Sequence, residues 1–500
     1  MQQRVTEPVA AGFRATNPVA RVGPFSLGMI ALLGLGVVLR LAFYSGFYGS
    51  DEVTYLIAAV RALNGDFAPS TYIGSIRYGF QLPMAGFMYL FGQSEATANA
   101  WTLVCSLAEI AVVVIIGKEL VGARAAMLAG LLLATLPLHV HYAGRMMADP
   151  PLAFFMTSSF LLFWLGQHRG SAVWFFLAGL AAGCVFWIKE TTVVYLLLFL
   201  IFPLWFRCWN WRWTWMVLGF VLVFGANLMF FWCIADDPFY VFRVARRAVS
   251  VYAGADQQLV SFADAPHFYL NYLLAKPYHT WLLGYLAFGG LILWRIERKR
   301  TEDVPALSFI VWWALGMLAI FSLLPVSLHP VKLIMKQVNY MLMFAAPLAL
   351  LGGVALARVG NRALATLLPI ALIPAIVLSA MERNVVSVFT ANSKAALAVA
   401  KENPQFRVYG SIGAERAATF DALVHPNMRG GDIADMRDWR DDRGRGMTAY
   451  AVLDTETTDW GLSRAWRRED IPECWTPAGT IAPEPDTALP WVFSLIREAG

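Results

Sequence analysis

The segment "FSLGMIALLGLGVVLRLAFYSGFYGSDEVTYLI", residues 25–57, joins a long apolar run to two adjacent carboxylates, Asp51 and Glu52. A helix needs about 17–25 apolar residues to cross a bilayer, and residues 25–46 meet that length. The two acids follow where the apolar run ends. The segment therefore predicts a membrane-spanning helix that leads directly to a carboxylate pair at one membrane surface.

Apolar segments of this kind recur through the first three quarters of the chain. Of its 500 residues, 58% are hydrophobic and 15% are charged, whereas soluble domains carry about 25% charged residues. The hydropathy pattern predicts eleven spans, at residues 25–46, 98–117, 124–143, 152–167, 171–188, 191–206, 213–235, 279–294, 306–325, 337–357 and 362–380. The predicted fold class is therefore an all-α polytopic membrane protein with about 11 transmembrane helices.

The distribution of Lys and Arg predicts how these spans are oriented. Every loop on one side carries positive charge, most clearly "RIERKR" at 295–300, and loops of this kind face the cytoplasm. Residues 1–24 then form a cytoplasmic segment that lacks the features of a cleaved signal peptide. An odd number of spans puts the C-terminal part outside. We expect a multi-pass protein of the bacterial inner (plasma) membrane with a periplasmic or extracellular C-terminal part.

The charge balance separates a membrane part from a tail. Residues 25–380 form the predicted membrane domain, with long outer loops at 47–97 and 236–278. Residues 381–500 hold 14 Lys+Arg and 18 Asp+Glu, which is typical of a water-exposed domain. In that tail, the stretch "SKAALAVAKEN" has helical character, whereas "FRVYG", "TAYAVLD" and "WVFSLI" have strand character, so we predict a small α/β domain.

A second acid stands in "YAGRMMADPPLAFF", residues 142–155, where the third predicted span ends. Helix capping explains both acidic sites locally, because Ser50 is a favoured N-cap and Asp149 precedes two prolines. The predicted topology nevertheless places Asp51 and Asp149 at the same outer surface. Ionisable groups held at a membrane boundary are candidate functional residues.

Several basic residues are predicted at or near the same surface. Taken singly, each is explained by an ion pair or by a side chain that snorkels to the interface. Taken together, they favour an anionic, lipid-linked phosphate as the ligand. The residues predicted to contact this phosphate are Arg40, Arg77, Arg145, Lys189, Lys332 and Lys336.

The order of these motifs resembles that of the membrane glycosyltransferases with the GT-C fold. The resemblance rests on the acidic pair, on Arg77 and Pro83 before a short apolar piece, on "ADPPLAFF" at 148–155 and on "KQVNYMLMFAAPLALL" at 336–351. It is greatest for the branch that contains protein O-mannosyltransferases, lipid A aminoarabinose transferases and rhizobial lipopolysaccharide galacturonosyltransferases. This chain departs from that branch in having "RYGFQLP" in place of a Lys/Arg-Pro-Pro stretch, and Asn339 where an Arg usually precedes the tyrosine.

The resemblance implies transfer of a sugar from a polyprenyl-phosphate donor to a lipid, glycan or protein acceptor on the outer face. It implies catalytic roles for Asp51, as base or acceptor-positioning group, and for Asp149, with Glu52 completing the pair. A single displacement would invert the anomeric centre, with a carboxylate taking the acceptor proton and cations stabilising the leaving phosphate. The tyrosines expected to position substrate are Tyr55, Tyr78 and Tyr340.

Two other classes of function fit parts of the pattern. A transporter or flippase of a lipid-linked or anionic substrate is the main alternative, and a structural subunit of an envelope complex is another. Transporters tend to collect ionisable groups near the bilayer midplane, whereas the charges here gather at the predicted outer boundary. No metal site is predicted, because His139 and His141 point to different sides of a helix, and the need for a divalent cation stays open. The expected partners are donor, acceptor and membrane lipids, without nucleic acid.

Overall fold

The computed structural model describes residues 23–67, 70–254, 266–300, 305–328, 331–426, 432–435, 449–453, 475–481 and 491–496. Within these residues the chain is mainly helical. The helices of the first half are α1 (Pro24–Ala42), α2 (Asp51–Leu63), α3 (Tyr78–Phe91), α4 (Glu95–Val121), α5 (Ala123–Thr135), α6 (Pro137–Ala143), α7 (Asp149–Arg169), α8 (Ala172–Ile188), α9 (Leu197–Phe206) and α10 (Thr214–Ala235). The later helices are α11 (Tyr240–Gly254), α12 (Phe268–Leu270), α13 (Leu283–Arg300), α14 (Pro305–Leu323), α15 (Leu342–Ala357), α16 (Asn361–Glu402) and α17 (Ile412–Val424). The strands are β1 (Pro325–Leu328), β2 (Val331–Leu333), β3 (Arg407–Gly410), β4 (Ile433–Asp435), β5 (Ala449–Leu453), β6 (Trp475–Ile481) and β7 (Trp491–Ile496).

Each segment predicted to span the membrane lies largely within a helix, a helix with its adjoining 3₁₀ turn or, for 124–143, the two helices α5 and α6. Within the described residues, six helical segments are long and apolar enough to cross a bilayer, namely those containing α1, α4, α10, α14, α15 and α16. Helices α5 and α6, bent by 58° at a short break, add a seventh if they count as one span. The helical, polytopic fold class is confirmed, and the count of eleven spans stays a prediction.

Helices α8 and α10 pack closely because glycines line their contact. A Cβ atom at Gly179 would lie 2.0 Å from the carbonyl oxygen of Met216, and one at Gly219 would lie 2.2 Å from that of Phe176. Small residues allow membrane helices to approach in this way. The contact fixes the position of α8, which Lys189 directly follows, against α10.

Helix α7 is held by aromatic packing against its neighbours. The ring of Phe160 on α7 stacks on Trp313 of α14, with 4.5 Å between ring centroids, and on Phe199 of α9 at 4.8 Å. All three helices therefore share one interior contact, and such aromatic pairs add to the stabilisation from burial. Because Asp149 is the first residue of α7, this packing also fixes the position of its carboxylate.

The tail contains a mixed five-stranded sheet of order β4-β3-β5-β7-β6. Strand β3 runs parallel to β4 and β5, and β7 runs antiparallel to β5 and β6. The three stretches predicted as strands correspond to β3, β5 and β7. The charged stretch "MRDWRDDRGRG" at 436–446, whose composition predicts an exposed turn, lies outside the described residues.

The predicted boundary between membrane domain and tail, at 380, falls inside α16. This helix continues for 22 residues beyond the boundary because "SKAALAVAKEN" keeps a helical pattern after the apolar run ends. The two parts are therefore joined by a helix. Helix α17 of the tail then packs against α2, which carries the first acidic pair.

Candidate active site

Glu52 organises the backbone in front of α2. Its side chain is fully buried, and its Oε1 accepts hydrogen bonds from the backbone N–H groups of Tyr48 (2.7 Å), Gly49 (2.5 Å) and Ser50 (3.1 Å). The side chain of Ser50 makes no capping hydrogen bond, so the cap that the sequence predicts is not formed, and the Glu52 carboxylate instead binds the N–H groups that precede the helix. Glu52 therefore holds the turn that presents its neighbour Asp51.

Asp51, at the start of α2, is only partly buried and accepts a hydrogen bond from the Tyr72 hydroxyl at 3.0 Å. Burial and the negative charge of Asp51 raise the pKa of Tyr72 to about 12. Tyr72 is therefore a neutral donor at ordinary pH. Sequence reasoning missed Tyr72, because no local pattern links it to an acid 21 residues away.

Asp149 is buried, with 1% of its surface exposed. The Lys189 ammonium donates a hydrogen bond to Asp149 Oδ1 at 3.0 Å, and the Asn339 amide also hydrogen-bonds the carboxylate. The helix cap is Ala148 rather than Asp149, and the cap makes no side-chain hydrogen bond. Capping therefore does not account for Asp149, whose carboxylate is bound to Lys189 and Asn339.

Lys189 also contacts a predicted substrate-positioning tyrosine. Its Nζ lies 4.3 Å from the centroid of the Tyr340 ring, an arrangement that favours a cation. Asn339 and Tyr340 belong to the 3₁₀ turn before α15, so the late segment "KQVNY" reaches the acid that follows the third predicted span. Where the resembled branch usually has an Arg, this chain has Asn339, whose amide interacts with Asp149.

Arg77 is buried and binds Tyr55 and Glu190. Its Nη1 donates a hydrogen bond to the Tyr55 hydroxyl at 2.5 Å, and its Nε lies 4.0 Å from Glu190 Oε2. Arg77 also interacts electrostatically with both Asp51 and Asp149. Among the described residues, neither Arg77 Nε nor Glu190 Oε1 has a hydrogen-bond partner, which marks both as candidates for binding substrate or water.

These residues form one group, here called the carboxylate cluster. Its members are Asp51, Tyr55, Tyr72, Arg77, Asp149, Lys189, Glu190, Asn339 and Tyr340. Sequence reasoning missed Glu190. The available signal was its position directly after Lys189 at the end of a predicted span.

Arg145 lies beside the carboxylate cluster and supports the first acidic loop. Its guanidinium lies 3.9 Å from the centroid of the Tyr48 ring, 3.8 Å from Glu52 Oε2 and 3.3 Å from His141 Nε2. These contacts tie the segment before α7 to the turn before α2. The predicted phosphate contact of Arg145 stays a prediction, and the structure adds a role in holding Glu52.

Arg40 is not brought to the carboxylate cluster. It is buried and donates hydrogen bonds to Ser106 Oγ at 2.8 Å and to the Ala134 carbonyl oxygen at 3.3 Å, and its Nη2 lies 2.6 Å from His139 Nδ1. His139 in turn pairs with the buried Glu109, with 3.0 Å between Nε2 and Oε2. The predicted phosphate contact of Arg40 is therefore replaced by an interior network.

The break between α5 and α6 explains why Arg40 is needed there. In an unbroken helix, the N–H of Leu138 would donate to the carbonyl of Ala134. Instead it donates to the carbonyl of His279 at 3.0 Å. Arg40 supplies the missing donor to Ala134, and buried carbonyl groups require such a partner.

Three further predicted residues have other surroundings or contacts. Tyr78 is buried among aromatic rings, with Phe230 at 4.7 Å and Phe231 at 5.9 Å between ring centroids. Lys332 lies in the β1–β2 hairpin. The Lys336 ammonium donates to the Ile334 carbonyl at 3.3 Å, and partial burial lowers its pKa to about 8.

Within the described residues, no group of three or more His, Cys, Asp or Glu side chains is arranged to hold a metal ion. The two histidines before Asp149 face different partners, His139 toward Glu109 and His141 toward Arg145.

A family model described as dolichyl-phosphate-mannose-protein mannosyltransferase matches residues 79–230. The matched range contains Asp149, Lys189 and Glu190, but neither the first acidic pair nor Tyr340. No curated protein matches the sequence significantly.

Several solved structures resemble the chain in fold. ArnT from Cupriavidus metallidurans in the apo state has a TM-score of 0.62 and 17% identity, over 93% of this chain and 97% of that chain. The same protein bound to undecaprenyl phosphate has a TM-score of 0.62 and 18% identity over the same shares. The apo oligosaccharyltransferase from Archaeoglobus fulgidus has a TM-score of 0.54 and 12% identity, over 87% of this chain and 70% of that chain.

These likenesses cover nearly the whole chain, and at such low identity they concern the fold alone. Together with the family match, they confirm the resemblance that the motifs predict: the chain has the GT-C fold of the membrane glycosyltransferases.

Proposed function

We propose that the chain transfers a sugar from a polyprenyl-phosphate donor to a hydroxyl or amine group of a lipid, glycan or protein acceptor, at the outer face of the bacterial inner membrane. The observation that carries the proposal is the carboxylate cluster. It joins a partly exposed carboxylate, Asp51, to two buried cations, Lys189 and Arg77, in a chain with the GT-C fold.

Asp51 is the proposed base. It is hydrogen-bonded to a neutral tyrosine hydroxyl and is partly exposed, so an acceptor can reach it. Asp149 is buried against Lys189 and Asn339, which makes it a weaker proton acceptor and a better anchor for the ammonium group. The two aspartates thereby take different tasks.

Lys189 and Arg77 are the proposed ligands of the donor phosphate. Each faces a carboxylate, Asp149 or Glu190 respectively, which holds the cation in a fixed place before an anion arrives. Preorganised charge of this kind is the main source of transition-state stabilisation in most enzymes. The ArnT complex with undecaprenyl phosphate supports a polyprenyl-phosphate ligand for this fold.

The proposed reaction is a single displacement. The acceptor oxygen or nitrogen forms a bond to the anomeric carbon, and the bond from that carbon to the phosphate oxygen breaks. The phosphate leaves with the bonding electron pair as the polyprenyl phosphate, and the acceptor proton passes to Asp51. Attack opposite the leaving group inverts the anomeric centre.

Mass spectrometry of envelope glycolipids and glycoproteins, from cells with and without the chain, tests this function. We expect one sugar increment to disappear from one class of molecule when the chain is absent and to return on complementation. Unchanged glycans, combined with substrate-dependent uptake by proteoliposomes containing the purified chain, would overturn the proposal in favour of a transporter.

A further inference from the structure

A guanidinium of the tail binds the backbone of the first acidic loop. Arg416 of α17 donates a hydrogen bond from Nη1 to the carbonyl oxygen of Gly49 at 2.8 Å, although the two residues are 367 positions apart. Gly49 has a φ of +89°, in the left-handed region that favours glycine. The turn before Asp51 is thus held on both sides, with its N–H groups on Glu52 and its carbonyl on Arg416.

Helix α17 is anchored well enough to act as a support. Its N-cap, Ser411, accepts a hydrogen bond from the Ala414 N–H at 3.2 Å. Phe420 packs on Phe47 with 5.2 Å between ring centroids. Asp421 pairs with Lys401 of α16 at 2.7 Å, which links α17 to the long helix leaving the membrane part.

Arg416 also acts electrostatically on a residue that contacts the proposed base. It interacts electrostatically with Tyr72, whose hydroxyl donates to Asp51. The tail therefore contributes a positive charge that acts on Tyr72, the residue whose hydroxyl donates to Asp51.

We propose that Arg416 is a positioning residue for Asp51, so that the tail forms one wall of the acceptor side of the site. This inference rests on the proposed function for its catalytic consequence. Arg416 acts through the Gly49 carbonyl and does not touch the donor phosphate, whose proposed ligands belong to the membrane part. Loss of Arg416 should slow transfer and leave donor binding intact.

Arg416→Met tests the proposal, because it keeps an unbranched apolar stem and removes the guanidinium donors. The matched control is Arg383→Met, since Arg383 Nε donates to the carbonyl of Tyr44 in the same loop at 3.3 Å and is exposed. In membrane vesicles that contain the native donor and acceptor, Arg416→Met should slow transfer on the order of tenfold, the effect expected for a charge-assisted hydrogen bond. Arg383→Met should transfer at the wild-type rate, and Arg416→Lys should restore part of the lost rate.

Two further measurements do not depend on transfer. Binding of undecaprenyl phosphate to the purified chain should be unchanged in Arg416→Met, and hydrogen exchange of the backbone amides at 48–50 should become faster in that variant alone. Wild-type exchange at 48–50, or equal loss of transfer in both methionine variants, would overturn the role of Arg416. Absence of transfer in wild-type vesicles would instead refute the proposed function, and hydrogen exchange would still decide the role of Arg416.

Discussion

The buried pair of Lys189 and Asp149 allows the sharpest prediction on stability. Its atoms are 3.0 Å apart, and the two side chains are 4% and 1% exposed. At that distance and an effective dielectric constant of about 20, the attraction is roughly 5 kcal/mol before desolvation is subtracted. Removing one partner of such a pair typically costs about 3–5 kcal/mol, because it leaves a buried charge uncompensated.

We therefore expect Lys189→Met and Asp149→Asn each to lower the free energy of unfolding by about 3–5 kcal/mol. The double variant should cost less than either single one, because it removes both charges together. The measurement is denaturant titration of the purified chain in mixed micelles.

The exposed pair of Arg61 and Asp66 supplies the control. Its atoms are 2.8 Å apart, but the side chains are 43% and 51% exposed, so Arg61→Met should cost about 1 kcal/mol or less. If the single variants of the buried pair cost no more than Arg61→Met, Asp149 and Lys189 are not a charged pair, and the assignment of Lys189 to a fixed cationic site is wrong.

Two predictions separate structural from phosphate-binding cations. Arg40→Met removes the donor to the Ala134 carbonyl and the buried cation that interacts electrostatically with Glu109. It should therefore lower the free energy of unfolding by about 3–5 kcal/mol and leave undecaprenyl phosphate affinity unchanged. A loss of affinity in the folded variant would show instead that Arg40 contributes to donor binding. Because burial lowers the pKa of Lys336 to about 8, its positive charge is lost as pH rises through 8, and any contribution to phosphate affinity should fall over that interval. Lys336→Met should flatten the change of phosphate affinity with pH, whereas the control Lys118→Met should keep it. If Lys336→Met shows the same pH profile as the wild type, Lys336 does not belong to the phosphate site.

Local sequence patterns predicted the helices and the main acids because both depend on near neighbours. Apolar runs specify the helices, and the two aspartates follow directly from span ends. Arg77 interacts electrostatically with both Asp51 and Asp149, and their shared role in one site stays a prediction. The tail strands at β3, β5 and β7 were recognisable for the same local reason.

The missed features all depend on contacts between distant segments. Glu190 belongs to the site because it faces Arg77, and Tyr72 because it donates to Asp51. No spacing in the sequence indicates either pair. Arg40 resembled a phosphate ligand because sequence alone cannot show that the α5–α6 break frees a carbonyl. Arg416 lies in a tail without a recognisable motif, so the sequence did not predict its hydrogen bond to the Gly49 carbonyl.

The central claim is that the Asp51 carboxylate accepts the acceptor proton, and one comparison of variants tests it most directly. The measurement is the rate of sugar transfer by cells or vesicles carrying wild-type chain, Asp51→Asn or Glu95→Gln. Glu95 is a close match, since it also lies in the first turn of a helix and accepts a tyrosine hydrogen bond, from Tyr44 at 2.9 Å, outside the carboxylate cluster. We predict that Asp51→Asn loses transfer by about 10²–10⁴-fold, as expected for loss of a general base, while Glu95→Gln keeps the wild-type rate. Transfer by Asp51→Asn at the wild-type rate would contradict the account.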